Sequence, residues 1–111
     1  MIYYNKLVRD HIPAIIAKKG GSVTFRALQG DELKKALKDK LIEEAQEFVN
    51  AETPEDMIEE MADLLEVLDA ALSVFHLGVT GERVKLIRCA KRKEKGGFAR
   101  GYFLESVGDE E

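Results

Sequence analysis

The chain has one cysteine, two prolines and no surplus of positive charge, and each shortage closes off a class of protein. A lone Cys89 permits no intrachain disulfide and argues against a cysteine-based zinc site. Its basic neighbours in LIRCAKRK would lower a thiol pKa, but a small packing residue on a helix is the simpler role. The formal net charge of −4 leaves nothing to coat nucleic acid, whose phosphates demand a positive excess. No apolar run approaches the roughly 20 residues needed to span a bilayer. The opening MIYYNKLVRD lacks the apolar core of a signal peptide. A cytoplasmic protein with neither nucleic acid nor membrane as partner is expected. Repeats, low-complexity segments and linkers are also missing, so residues 1–111 are expected to form a single domain with one modest core.

What is there is ordinary globular composition, 45% hydrophobic and 34% charged, which argues against disorder. Both prolines stand at helix starts. Pro13 opens a short helix in PAIIAKKG that stops at Gly20-Gly21. SVTFRAL alternates and carries β-branched residues, which predicts a short strand. Asp31 is placed to cap a long helix from about Glu32 to Asn50. Thr53, Pro54 and Asp56 make a capping-box-like start for the next, which should reach about His76 and end at Gly78. Thr80 can cap a third long helix of about 15 residues that ends in a Lys/Arg-rich turn before Gly96-Gly97. GYFLESV reads as a second strand able to pair with the first. The expected fold is mainly α, an antiparallel helical bundle with at most one small two-stranded sheet. Three amphipathic helices make a thin core, so a homo-oligomer, dimer or tetramer, is expected.

LIEEAQEF, residues 41 to 48, crowds Glu43, Glu44 and Glu47 onto a helix that should face a core. With Leu33 at zero and ~100° per residue, Leu37, Leu41 and Phe48 fall at about 40°, 80° and 60°. Glu44 falls at about 20°, inside that apolar arc, while Glu47 and Glu43 border it at about 320° and 280°. On the following helix, with Met57 at zero, Glu59, Glu66 and Asp69 occupy a wet face between about 120° and 200°. Glu60 and Asp63 fall at about 300° and 240°, beside Val67, Ala71 and Val74. Five carboxylates therefore face or border the core, where like charges oppose burial strongly. Few basic residues share these faces, Lys40 at about 340° being the nearest. Mg²⁺ would resolve the conflict: it takes oxygen ligands, keeps some waters and commonly binds substrate phosphates, and Mn²⁺ can substitute. Pairs such as Glu44 with Glu47, or Glu60 with Asp63, can converge on one ion from one helix.

Glu43-Glu44-x-x-Glu47 followed by Glu60-x-x-Asp63 resembles the EExxE…ExxD signature of the all-α nucleoside triphosphate pyrophosphohydrolases, the MazG-like superfamily. YNKLVRDHIP, Tyr4 to Pro13, and KGGFARGYFLE, Lys95 to Glu105, resemble the ends of its short single-domain branch related to phosphoribosyl-ATP pyrophosphohydrolase. His11 departs from that pattern, standing where a basic residue is expected. The resemblance implies an oligomerising helical bundle that hydrolyses a nucleotide substrate between its α and β phosphates, giving monophosphate and pyrophosphate. It implies Mg²⁺ held by Glu44, Glu47, Glu60 and Asp63. Glu43 or Glu44 would act catalytically, accepting a proton from the attacking water. Lys6 and Arg9, three residues apart, and Lys93, Lys95 and Arg100 around Gly96-Gly97 are the expected phosphate contacts. Nucleotide-pool house-cleaning is the expected role. The alternatives are phosphoribosyl-ATP pyrophosphohydrolysis in histidine biosynthesis and a non-catalytic helical interaction module.

Overall fold

A computed structural model describes residues 1–76 and 81–108. It is mainly helical, as the periodicity predicts, with α1 over Ile12–Lys18, α2 over Gly30–Asn50, α3 over Pro54–Val74 and α4 over Glu82–Lys95. The start of α3 is the one the sequence announces: the backbone N–H of Asp56 donates to Thr53 Oγ1 at 3.1 Å, and Pro54 fills the first helical position. α2 differs by two residues. Gly30, at φ +59°, already lies in the helix and Gln29 takes the cap position without a side-chain bond, so Asp31 sits in the first turn. There its charge still favours the helix dipole. α3 ends at Val74, and His76 leaves it at φ +53°. The expected stop at Gly78 and cap at Thr80 lie outside the described residues. α4 begins after Gly81 and stops at Gly96, whose φ of +85° suits a residue without Cβ.

Neither expected strand forms among the described residues. Residues 22–28 and 101–107 are irregular, and no backbone hydrogen bond joins them. Alternation and β-branching are local signals, whereas a strand exists only with a ladder partner.

α2 and α3 pack together along their length, and among the described residues no other pair of helices does. A connection of residues 51–53 folds them back antiparallel. Lys34 and Lys38, early in α2, lie over the ring of Phe75 just past α3, at 5.9 and 5.5 Å from its centroid. At the other end, Glu44 meets Glu60 and Asp63. Leu37, 4% exposed, is the one buried apolar residue among the described residues. α3 turns its Leu64, Val67, Ala71 and Val74 edge toward α2, while Met57, Met61, Leu65 and Leu68 are exposed. The predicted apolar arc is thus wider than one neighbour covers. Among the described residues no helix is long and apolar enough to cross a membrane.

Candidate functional site

The acidic cluster forms where the end of α2 meets the beginning of α3. Glu44 is buried, 5% exposed, and its position inside the apolar arc of α2 is the reason. Glu43, Glu60 and Asp63 are half-buried and Glu47 is exposed. Ligand oxygens of Glu43, Glu44 and Glu47 lie within 4.8 Å of one another, as do those of Glu44, Glu60 and Asp63. Glu44 belongs to both groups and joins the two helices. The wet-face acids Glu59, Glu66 and Asp69 are exposed, as rotation predicts.

Three cations enter this cluster. Lys40, one turn before Glu43 and Glu44, reaches Glu43 Oε2 at 3.3 Å and Glu44 Oε1 at 3.2 Å. Lys6 Nζ donates to Glu43 Oε1 at 3.2 Å, and an Arg9 guanidinium nitrogen to Asp63 Oδ1 at 2.7 Å. Sequence reasoning placed Lys6 and Arg9 as phosphate contacts and missed that they reach the carboxylates. The pairs join residues 37 and 54 positions apart, beyond the reach of any periodicity. The signal that pointed there was the acid surplus itself, which required counter-charge from elsewhere.

The pairing leaves a remainder. Five carboxylates meet three cations. Glu44 Oε2 and Glu60 Oε2 are buried with no hydrogen-bond partner. A buried acceptor without a partner opposes folding, and more so when ionised. Burial pushes the Glu44 carboxyl up, and neighbouring Glu47 adds to this against the pull of Lys40. Burial also opposes ionisation of Glu43, but hydrogen bonds from Lys6 and Lys40 outweigh it and hold that carboxyl low. Lys40 is itself partly desolvated, yet its two glutamate partners raise it. Arg9 is raised by its bond to Asp63.

These donors fit a hard divalent cation. They are all oxygens, they come from two rigid helices, and the two unpartnered ones need an electropositive neighbour. One such ion would balance the charge that the three basic side chains leave. Lys93 and Lys95, near the end of α4, and Arg100 beyond it are exposed, and α4 does not pack on the α2–α3 hairpin. Within one chain the structure therefore does not bring these three to the acids. The apolar groove of about 230 Å³ between Leu37, Leu41, Ala71 and Phe75 belongs to the opposite half of the hairpin.

No family model, curated protein or solved structure matches the chain.

Proposed function

We propose that the protein is a divalent-metal-dependent nucleoside triphosphate pyrophosphohydrolase that releases pyrophosphate and a nucleoside monophosphate. The observation that carries this reading is the pair of buried, unpartnered oxygens, Glu44 Oε2 and Glu60 Oε2, within a group of five carboxylates. Glu44, Glu47, Glu60 and Asp63 would hold the ion. When bound, it supplies neutralisation of phosphate charge and acidification of a water molecule. Glu43 has both oxygens engaged by lysines, whereas Glu44 has a raised pKa and a free oxygen. Either Glu44 or, once Lys6 leaves it, Glu43 would accept the proton of the attacking water. Lys6 and Arg9 stand beside the acids, where they can meet the phosphates of a bound nucleotide. House-cleaning of the nucleotide pool in the cytoplasm is the role in which we place this activity.

The test is a pyrophosphate-release screen of purified protein across canonical and damaged triphosphates and phosphoribosyl-ATP, with Mg²⁺ or Mn²⁺. We expect release that depends on the metal and is lost in Glu44→Gln. Turnover of phosphoribosyl-ATP alone would assign the chain to histidine biosynthesis instead. No release from any nucleotide, or an equally active variant, would favour an interaction module. The acceptance of Lys6 and Arg9 by Glu43 and Asp63 is the observation behind that rival, since a basic partner could take their places.

The same reading includes a homo-oligomer. The chain exposes 10480 Å², about 4,300 Å² more than the about 6,200 Å² typical of a compact monomer of 12.5 kDa. Obligate interfaces remove roughly 1,000–2,500 Å² per partner. A second copy seated on Met57, Met61, Leu65 and Leu68 would complete a helical bundle around α3.

A further inference from the structure

We propose that Lys6 and Arg9 form a displaceable counter-ion latch: they occupy Glu43 and Asp63 in the metal-free protein, a divalent cation displaces them, and the freed pair then receives an anionic phosphate. The inference rests on the metal-site reading above and adds an order of events to it.

The three cations of the cluster are not equivalent. Lys40 sits on α2 itself, within a turn of both its partners, and its side chain is 15% exposed. It is a fixed counter-charge. Lys6 and Arg9 lie on the irregular segment that precedes α1, with side chains 41% and 56% exposed. No backbone hydrogen bond ties residues 1–8 to the other described residues, and within that stretch only Leu7 is even half-buried. Two solvent-accessible ion pairs thus account for the polar attachment of this segment. Exposed pairs are weak and yield to a competitor of higher charge.

The competitor has a place to go. Glu44 is more than nine-tenths buried and has an unpartnered oxygen, as has Glu60, and ligand oxygens of the two residues lie within 4.8 Å of each other. Each of the two oxygen groups that include Glu44 also contains a carboxylate now held from the leading segment, Glu43 by Lys6 in one and Asp63 by Arg9 in the other, so a cation bound in either group competes with one of them. Each carboxylate oxygen taken by the ion releases a lysine or arginine donor, and those donors stand three residues apart at the rim of the same site. By linkage, an anion that binds the released pair tightens the cation, and the cation tightens the anion.

The experiment uses full-length protein and Mn²⁺ alone as probe. Trypsin cuts after Lys6 and Arg9, so early nicking measured by mass spectrometry reports release of the segment, with cleavage after Lys35 on α2 as internal reference. Mn²⁺ affinity is read from the electron paramagnetic resonance of the free ion, for wild type, Lys6→Gln, Arg9→Gln and Glu44→Gln. Arg26→Gln serves as control, because its partner Glu32 lies outside the cluster. We expect Mn²⁺ to speed nicking after Lys6 and Arg9 several-fold relative to Lys35. Lys6→Gln and Arg9→Gln should each bind Mn²⁺ about two- to fivefold tighter, with Arg26→Gln unchanged. Saturable Mn²⁺ binding that is lost in Glu44→Gln, with nicking unchanged and both latch variants binding no tighter, overturns the latch and leaves the metal site standing. No saturable Mn²⁺ binding by wild type overturns both. The nicking assay needs no variant, so it decides even where a substitution disturbs folding.

Discussion

Glu44 is held in a conflict that its neighbours only partly relieve. Lys40 satisfies one oxygen, and the other is buried and bare. Because burial raises its pKa, ionised Glu44 opposes folding. The proton it binds in the folded state stabilises the protein below the raised value, and that contribution disappears as pH rises through it. Glu43 has the opposite sign: held low by Lys6 and Lys40, it contributes stability above the ordinary glutamate value that is lost as pH falls. Glu44→Gln should therefore melt higher than wild type at pH 7 without metal, by roughly a few degrees, and the gap should close as pH drops to the ordinary glutamate range. Calorimetric melting across pH measures this. The same variant should bind Mn²⁺ at least about tenfold more weakly, so stability and metal affinity move in opposite directions. The inward turn of Glu44 was legible because helical rotation is a local property that one stretch of sequence carries. The partners of Glu43 and Asp63 were not, because chain folding rather than periodicity sets those encounters.

At the scale of elements, legibility followed the same division. Thr53-Pro54 marked the start of α3 because a cap is formed by residues three apart. Replacing Thr53 with Ala should cost about 1 kcal/mol, read as a lower urea midpoint at fixed protein concentration. A variant as stable as wild type would mean that the cap bond contributes nothing in solution. SVTFRAL carried an equally clear local pattern, yet the partner it needed never came alongside. On α3 the apolar arc was correctly placed but only half used. Val67, Ala71 and Val74 turn toward α2 with Glu60 and Asp63 among them, while Met57, Met61, Leu65 and Leu68 remain open. Amphipathic rotation shows which residues seek cover and is silent on what supplies it.

At the scale of the whole molecule, the radius of gyration is 19.0 Å, against about 13 Å for a compact domain of this length. α4 stands away from the hairpin, and the segment after it exposes Phe98, Tyr102, Phe103 and Leu104. One hairpin with a single buried apolar residue among those described is a thin basis for independent stability. Sedimentation equilibrium should therefore find a dimer or larger assembly. Leu65→Glu, at a position already 56% exposed in the single chain, should shift it toward monomer and lower its melting temperature. A wild-type monomer, or an assembly indifferent to that substitution, would rule out α3 as the shared face.

All five carboxylates of the cluster lie between Glu43 and Asp63, on two helices joined by a short turn. During synthesis the entire acidic set is made before α4. Contacts so near in sequence close quickly. The nascent chain thus carries its most charge-dense surface from an early moment, with the cations of its own leading segment already made and within reach.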